Sequence, residues 1–257
     1  MVKLGIGDLL AQIPFETWIR VVEEEPEWRC MHEFLERYGF GRFAVLMIAA
    51  GLNDFQLKGK AEVAYWPKLR DLLERKNVPD SLGEMEEILT EFYVRERFSS
   101  LKLKRLNRFL TSRLAGRLWH SMPKDTAENF LGIWYELAST MKQNKDAKTI
   151  VFGMKCLGIA LLMSGENNFN FERIPIPVDY RIREFTRRLG VSVKGDEDVR
   201  RFWSKILGEI RKRVSINMIH LDSLIWQIGV LKKNEIEMYF SRFGLSELGE
   251  KMAELVE

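Results

Sequence analysis

Apolar residues recur every three or four positions along almost the whole chain. This is the period of an amphipathic α-helix, whereas the alternation that marks a strand never extends beyond a few residues. The segment 101–119 shows the helical stripe most clearly. Its members are Leu103, Leu106, Leu110, Leu114 and Leu118. The pattern predicts an all-α protein, and a short hairpin near the N-terminus is the one open alternative.

Start and stop signals divide this pattern into helices. Pro26 suits a first helical position, and Asp80 suits an N-cap. Gly190 suits a helix end, and Pro67 predicts a kink, or a break after Trp66. The predicted helices cover 16–24, 26–37, 43–55, 60–76, 80–97, 101–119, 125–141, 148–164, 179–189, 196–214, 220–230, 233–243 and 245 to the end. We expect two helical subdomains, with the N-terminal and C-terminal helices packed together against the middle of the chain.

Composition excludes several classes of protein. Cys30 and Cys156 are the only two cysteines, too few for a disulfide framework or an iron–sulfur cluster, and we expect both in the core. The three histidines lack metal-ligand spacing, so neither a metal nor an organic cofactor is expected. The longest apolar segment, 150–163, is too short to span a bilayer, and the first sixteen residues contain no long apolar run, so we expect no secretory signal. We therefore expect a monomeric cytoplasmic protein.

Lys148 is the first candidate for chemistry. It follows the polar turn 142–147 and opens the strongly apolar segment 149–163. At a helix N-terminus, the positive end of the helix dipole and partial burial both disfavour a second positive charge. These effects favour the free amine that a nucleophilic lysine needs. A solvated loop lysine is the alternative.

Asp179 is the second candidate. Pro175 and Pro177 alternate with apolar residues and force an extended path that ends at Asp179, where the helix 179–189 begins. Cap hydrogen bonds hold a carboxylate ionised, so a structural cap and a catalytic group are compatible roles. The helix after Lys148 is roughly 24 Å long, and the return segment of about fifteen residues can reach roughly 50 Å. The chain can therefore bring Asp179 beside Lys148.

Two pairs of residues suit the wall of a pocket. Asp222 and Trp226 are four residues apart, and so are Lys148 and Phe152. This spacing places both members of a pair on one helix face. A polar group one turn from an aromatic ring can bind a flat polar ring by stacking and by edge hydrogen bonds. Ordinary core packing is the alternative for both pairs, and for Trp66.

The segment 102–117 is strongly basic and contains no acid. Its cations are Lys102, Lys104, Arg105, Arg108, Arg113 and Arg117. Two interpretations are open, a nucleic-acid surface and a solvated helix face. Because the charges are spread around the helix, only part of them can face one ligand.

Three segments together resemble a known family. They are AKTIVF at 147–152, IPIPVDYR at 174–181 and HLDSLIW at 220–226. The combination resembles the archaeal 8-oxoguanine DNA glycosylase family, AGOG, a branch of the helix-hairpin-helix DNA glycosylases. The resemblance spans most of the chain. It implies a single domain over 1–257 with the hairpin and catalytic region at about 125–190, and an active-site cleft between two helical subdomains.

The resemblance also implies roles for individual residues. Lys148 falls on the Schiff-base lysine of the family and Asp179 on its carboxylate partner. Glu27 stands where the family can carry a base-contacting glutamine. The remaining positions of the pocket for the oxidised base correspond to Phe152, Pro177, Asp222, Trp226, Gly59 and Trp66, with Tyr65 as a rival for the last.

The hairpin turn departs from the wider superfamily. Most members use a glycine-rich turn whose amides bind phosphate, whereas the turn 142–147 contains no glycine. We therefore expect Lys142, Lys145 and the N-terminus of the following helix to contact the DNA backbone.

The function that the resemblance implies is DNA repair. The enzyme would be a bifunctional N-glycosylase and AP lyase that excises 8-oxoguanine through a lysine Schiff base and cleaves the strand by β-elimination. The implied partner is double-stranded DNA containing 8-oxoguanine, with single-stranded DNA as an alternative, and the implied location is the cytoplasmic nucleoid. Two rivals stay open: a related glycosylase for another damaged base, and a non-catalytic helical nucleic-acid-binding module.

Overall fold

The protein is helical throughout the part of the chain that the structure describes, residues 5–256. The structure is a computed structural model. It divides into two compact units, one formed by residues 24–171 and the other by residues up to 23 and from 172 onward. Residues 5–256 contain no strand, so the predicted all-α class is confirmed. None of the helices described is long and apolar enough to cross a bilayer.

The α-helices are α1 (Ile6–Leu10), α2 (Phe15–Glu23), α3 (Pro26–Tyr38), α4 (Phe40–Asn53), α5 (Ala61–Ala64), α6 (Trp66–Glu74), α7 (Leu82–Tyr93), α8 (Ser99–Leu110), α9 (Arg113–Trp119), α10 (Pro123–Glu128), α11 (Phe130–Met141), α12 (Lys148–Met163), α13 (Tyr180–Arg188), α14 (Asp196–Ile210), α15 (Met218–Ile228), α16 (Lys233–Ser241) and α17 (Ser246–Leu255). One 3-10 turn, Phe171–Arg173, occurs within residues 5–256. Most predicted helices are therefore present.

The core of the unit 24–171 is built by α4 and α12, which pack along each other. α4 is buried almost all round, as its continuous apolar sequence predicts. The two helices approach most closely at Gly51, where a Cβ atom would lie 2.7 Å from Cys156 Sγ and 3.1 Å from Gly153 Cα. Cys30 and Cys156 are buried thiols outside any disulfide, which confirms that both are core residues.

The helix expected to start at Asp80 is capped one residue later. Ser81 Oγ accepts a hydrogen bond from Glu84 N at 3.1 Å, and Glu84 Oε2 accepts one from Asp80 N at 2.8 Å. The prediction of Asp80 as N-cap is therefore wrong. Glu84 thus accepts from the amide of Asp80, the residue before the cap. The arrangement is like a capping box, in which the glutamate accepts from the amide of the cap residue itself.

Three predicted helices are each split in two, and one of them, 125–141, breaks at Asn129 between α10 and α11. The break near Pro67 falls at Tyr65 and not after Trp66, because Pro67 takes the second position of α6, where its missing N–H costs nothing. The basic segment 101–119 breaks before Ser112, whose Oγ accepts a hydrogen bond from Ala115 N at 3.1 Å and so starts α9. A single hydroxyl cap therefore overrides a continuous leucine stripe.

The N-terminal and C-terminal helices share the other unit, as predicted. α2 packs against α15. Gln227 Nε2 donates to Val21 O at 2.8 Å, and Tyr239 Oη donates to Gln227 Oε1 at 2.8 Å. One glutamine amide thus joins three helices from the two ends of the chain.

The open alternative of a short hairpin near the N-terminus is wrong for the residues that the structure describes. From Ile6 onward the chain forms α1, whose Leu9 and Leu10 are buried. α1 lies so close to α14 that a Cβ atom on Gly7 would meet Glu209 Oε2 at 2.1 Å. Residues 1–4 lie outside the described part of the chain.

Candidate active site

The predicted polar turn joins α11 to α12 and is held by its own polar groups. Lys142 adopts a left-handed conformation with φ +54° and ends α11. Asn144 Oδ1 accepts a hydrogen bond from Asp146 N at 2.8 Å, and Trp134 Nε1 donates to Lys145 O at 2.8 Å. The turn is therefore fixed without a glycine.

Lys148 is the first residue of α12, as predicted. Ala147 precedes it as N-cap and offers no side-chain hydrogen bond to the first-turn amides. The N–H groups of the first turn of α12 are therefore not capped by the Ala147 side chain, and the positive end of the helix dipole lies next to Lys148. The partial burial that we expected is wrong, since the side chain is exposed. A side chain at the first helical position points back over the turn rather than into the core.

Arg105, which our sequence reasoning did not single out, clamps this turn from α8. Its Nη1 donates to Gln143 Oε1 at 2.8 Å, and its Nη2 donates to Thr149 Oγ1 at 3.0 Å. Nη2 also donates to Leu52 O at 3.0 Å. The guanidinium thus fixes the turn and the residue next to Lys148 to α4. No local pattern distinguishes Arg105 from the other cations of the basic segment.

The basic segment does not form one surface. Lys102 is fully buried, with Nζ 3.9 Å from Glu96 Oε2 and 5.2 Å from the Phe55 ring centroid. Burial lowers the pKa of Lys102. Lys102 and the half-buried Arg105 both make contacts inside the protein. For these two residues, neither predicted interpretation, a nucleic-acid surface or a solvated helix face, is correct. Arg117, which is exposed, pairs with Glu136.

Phe152 and a buried ion pair follow Lys148 along α12. Lys155 Nζ lies 2.9 Å from Glu25 Oε1, and both side chains are 2% exposed. The same Nζ lies 5.8 Å from the Phe152 ring centroid. Lys148, Phe152 and Lys155 are spaced by four and three residues, so they lie along one face of α12. The predicted pairing of Lys148 and Phe152 on one face is consistent with this.

Glu27 lies beside this ion pair on α3. Its side chain is buried, and Oε2 makes no hydrogen bond within residues 5–256. Burial, and then the charge of Glu25, raise the pKa of Glu27 well above its ordinary value, while Lys155 acts in the opposite direction. One lysine faces two acids here, and the raised pKa favours the protonated form of Glu27. A protonated carboxyl offers an O–H donor, which a carboxylate cannot.

Trp66 and Tyr65, the two rivals for base stacking, are both fully buried. Tyr65 is fixed in the core, because its hydroxyl donates to Ala50 O at 2.8 Å and lies 2.8 Å from Tyr93 Oη. Trp66 Nε1 donates to Asp54 Oδ2 at 3.1 Å. Asp54 also raises the pKa of Glu27, so an electrostatic link connects Trp66 to the Glu27 cluster.

Gly59, Lys142 and Lys145 differ in exposure. Gly59 is exposed in the connection between α4 and α5, and a Cβ atom there would lie 3.0 Å from Ala64 Cβ. Lys142 is exposed. Lys145 is half-buried, with Nζ 3.0 Å from Asp146 Oδ1 and 4.2 Å from the Trp134 ring centroid. Of the two predicted backbone contacts, Lys142 therefore has the freer charge.

Asp179 belongs to the other unit and caps α13, as predicted. Its Oδ1 accepts a hydrogen bond from Ile182 N at 3.0 Å. Oδ2 makes no hydrogen bond within the residues that the structure describes. The preceding extended segment is anchored by buried Ile176, Pro177 and Val178, so the backbone before Asp179 is held on both of its faces.

Asp222 and Trp226 lie on α15 in the same unit. Asp222 is 2% exposed, and Trp226 is half-buried. Arg181, the second residue of α13, places its guanidinium carbon 4.0 Å from the Trp226 ring centroid. The two helices are close, because a Cβ atom on Gly229 would meet Arg181 O at 3.0 Å. Arg181 therefore links Trp226 to the start of α13, the helix that Asp179 caps. No local sequence pattern predicted this contact.

The predicted residues thus form two groups. The unit 24–171 contains Lys148, Phe152, Glu27, Trp66, Gly59, Lys142 and Lys145, and the other unit contains Asp179, Pro177, Asp222 and Trp226. The first group contains an exposed lysine, a half-buried phenylalanine and a buried tryptophan, and the second contains a capped carboxylate and a half-buried tryptophan.

Curated proteins similar to this chain are archaeal. An N-glycosylase/DNA lyase of Methanopyrus kandleri is 27% identical over 236 residues, which cover 90% of this chain and 92% of that protein. An N-glycosylase/DNA lyase of Nanoarchaeum equitans is 31% identical over 189 residues, which cover 73% of this chain and 74% of that protein.

A solved structure shares the fold. It is the 8-oxoguanosine complex of Pa-AGOG, the 8-oxoguanine DNA glycosylase from Pyrobaculum aerophilum. The superposition has a TM-score of 0.73 and covers 98% of this chain and 95% of that one, at 21% identity. This agreement supports the all-α architecture over the full described length.

The family itself is settled by sequence. The family model described as AGOG, N-glycosylase/DNA lyase, matches residues 7–256. The resemblance carried by the segments 147–152, 174–181 and 220–226 is thereby confirmed over nearly the whole chain, together with the prediction of a bifunctional glycosylase and lyase. The chain belongs to the AGOG family of N-glycosylase/DNA lyases.

Proposed function

We propose that this protein excises 8-oxoguanine from DNA and cleaves the strand through a Schiff base on Lys148. The observation that carries the proposal is the placement of Lys148 at the uncapped N-terminus of α12, on a turn fixed by Arg105. A solved family member with the same fold holds 8-oxoguanosine. Family membership also speaks against a non-catalytic helical module.

The first step is base release. The Lys148 amine attacks C1′ of the nucleotide while the bond from C1′ to the base nitrogen breaks, and the base leaves with a proton. Asp179 stabilises the positive charge that develops on the sugar and moves protons. The damaged nucleotide must leave the helical stack to be reached. Asp179 suits this role because its cap hydrogen bond orients Oδ1 and leaves Oδ2 for the substrate.

The second step cuts the strand. The nitrogen lone pair of the adduct expels O4′ as the C1′–O4′ bond breaks, O4′ takes up a proton, and a protonated imine then joins Lys148 Nζ to C1′. The imine acidifies C2′, a base removes a C2′ proton, and the electron pair expels the 3′ phosphate by breaking the C3′–O bond. Hydrolysis of the remaining imine returns the free amine. No group outside the chain is required for these transfers apart from water.

The base is recognised by its oxidised edge. 8-Oxoguanine carries a proton on N7, where guanine has a lone pair. Asp222 accepts a hydrogen bond from that proton, and guanine in the same position would leave two acceptors facing each other. Buried polar groups without partners make such discrimination strong. Phe152, Pro177 and Trp226 supply apolar surface for the ring faces.

Glu27 acts as a neutral acid in this scheme. A protonated carboxyl can donate one hydrogen bond and accept another, as a primary amide does. It can therefore pair with the lactam edge of the base, which offers one N–H and one carbonyl. Trp66, which is buried, supports the Glu27 cluster from the core through its hydrogen bond to Asp54. Gly59 lies exposed in the connection that precedes α5, and Lys142 and Lys145 contact the DNA backbone beside the turn.

A cleavage assay tests this proposal. Duplex and single-stranded oligonucleotides with 8-oxoguanine opposite each of the four bases are compared with the same oligonucleotides carrying guanine or another damaged base. We expect strand cleavage at 8-oxoguanine and none at guanine. Preferential cleavage at a different damaged base would replace 8-oxoguanine as the substrate and leave the family assignment intact.

A further inference from the structure

A charged cleft lies in the unit 24–171 outside the residues that the mechanism uses. Its volume is about 320 Å³. The floor is apolar, formed by Leu72 of α6 and Phe92 of α7, both largely buried. The rim is charged and consists of Lys58, Lys68, Asp71, Arg75, Glu91, Arg95 and Glu96.

The acids of the rim are neutralised by cations outside the cleft. Asp71 Oδ1 lies 2.7 Å from Arg70 Nη2, and Glu91 Oε2 lies 2.5 Å from Lys76 Nζ. Glu96 forms the buried pair with Lys102 at 3.9 Å. Each carboxylate therefore has a partner of its own, and none of the three partners lines the cleft.

The cations of the rim lack such partners. Lys58, Lys68, Arg75 and Arg95 form no ion pair within 4 Å among the residues that the structure describes. Lys58 Nζ donates to the carbonyl of Arg95, which gathers two of the four charges at one end. Lys68 and Arg75 are seven residues apart, two turns of α6, so their charges are spread over roughly 10 Å. Around its apolar floor the cleft thus presents four cations that form no close ion pair, with Arg75 and Arg95 near enough to lower the pKa of Glu91.

We propose that this cleft binds phosphate esters of a nucleic-acid strand, at a point separate from the damaged nucleotide. Phosphate is the anion that a guanidinium fork and ammonium groups recognise together. Cations spread over two helical turns suit a ligand with more than one phosphate, and the apolar floor accepts a sugar or a base. This proposal rests on the proposed function only in taking DNA as the source of the phosphates.

The cleft is joined by the chain itself to Gly59 and Trp66, two residues that the family resemblance implicates in base binding. Lys58 directly precedes Gly59, and Lys68 follows Trp66 by two residues. A strand seated in the cleft would therefore hold both ends of the segment 58–68. This connection gives DNA binding a direct route to the position of Trp66.

The test is the salt dependence of DNA binding by the full-length double variant Lys68→Gln/Arg75→Gln. Anisotropy titrations with undamaged duplex and undamaged single-stranded DNA span about 50 to 200 mM salt. Each phosphate contact removed is expected to flatten the log–log slope by about 0.9 on duplex or about 0.7 on a single strand. The matched control is Lys212→Gln/Lys233→Gln, two exposed lysines of the other unit without ion pairs, which should leave the slope unchanged.

Two further measurements separate the possible outcomes. The single-turnover cleavage rate of the double variant at saturating DNA should match that of the wild-type protein. If the proposed function is wrong, neither protein will cleave 8-oxoguanine DNA, but the difference in the salt dependence of DNA binding will remain. Calorimetry with inorganic phosphate and a nucleoside monophosphate tests whether the cleft binds the phosphate of a small molecule instead of that of DNA. If the wild-type protein binds these small ligands, the double variant does not, and the DNA slope is unchanged, the site binds phosphate but the nucleic-acid strand is overturned as its ligand in favour of a free nucleotide. An unchanged slope without such binding overturns the proposal.

Discussion

The Arg105 guanidinium donates a hydrogen bond to the Thr149 hydroxyl at 3.0 Å, one residue beyond Lys148. The same group holds Gln143 in the turn and Leu52 O of α4. Arg105 therefore connects the position of the nucleophile to the core of the unit 24–171. In our scheme it is a positioning residue that never touches the DNA.

We expect Arg105→Gln to slow base release about ten- to hundredfold, because misplacing a reacting group by about 1 Å costs up to a hundredfold. The KM for DNA should stay close to wild type, since the charge is directed into the protein. Single-turnover kinetics separate the two parameters. Arg105→Lys keeps the charge but only part of the fork and should recover part of the rate. A rise in KM with an unchanged rate would identify Arg105 as a DNA contact instead.

Glu27→Gln should keep most activity, whereas Glu27→Ala should lose roughly tenfold through the lost hydrogen bonds. The wild-type enzyme should also lose activity on the alkaline side as Glu27 ionises, and Glu27→Gln should not share that loss. The physical reason is that the amide reproduces the donor and acceptor of the neutral acid at every pH. Rate profiles against pH for the three proteins provide the comparison.

The same group predicts a pH dependence of stability. The pKa of Glu27 is raised in the folded protein, so its contribution to the free energy of unfolding is present below the unfolded pKa of about 4.3 and is lost as pH rises through the folded pKa. Denaturant unfolding of Glu27→Gln should show a smaller decline across that range than wild type. Equal declines would mean that Glu27 is ionised in the folded protein.

Breaking the buried pair of Lys155 and Glu25 should be costly. Lys155→Met leaves Glu25 buried beside Glu27 without its partner, and we expect a loss of about 3–5 kcal/mol in the free energy of unfolding. The double variant Lys155→Met/Glu25→Leu removes both charges and should recover most of the loss. A double variant as unstable as the single one would show that the pair contributes by packing rather than by charge.

How much of this could be predicted from the sequence depends on the range of the interaction. Lys148 and Asp179 were placed correctly at helix starts because turns, prolines and caps are local signals. The partners Lys155 and Glu25 are 130 residues apart, and no local pattern connects them. Arg105 and Lys102 looked like surface cations in a basic run, and only the packing of α8 shows that both point inward. The split at Ser112 was hidden by the leucine stripe on either side.

Asp179→Asn should fold normally and lose most base release. Asparagine is an equally good N-cap, so its side-chain oxygen can still accept from Ile182 N. The negative charge is gone, and with it the stabilisation of positive charge on the sugar. Circular dichroism and thermal unfolding check the fold, and single-turnover excision of 8-oxoguanine checks the chemistry. Full activity in a folded Asp179→Asn protein would remove Asp179 from the mechanism.

The central claim, covalent catalysis by Lys148, is tested most directly by borohydride trapping on an 8-oxoguanine duplex followed by mapping of the modified peptide. We expect a stable protein–DNA adduct on Lys148 in the wild-type protein and none in Lys148→Gln, which should still fold because the side chain is exposed. An adduct on another residue, or wild-type cleavage by Lys148→Gln, would contradict the account.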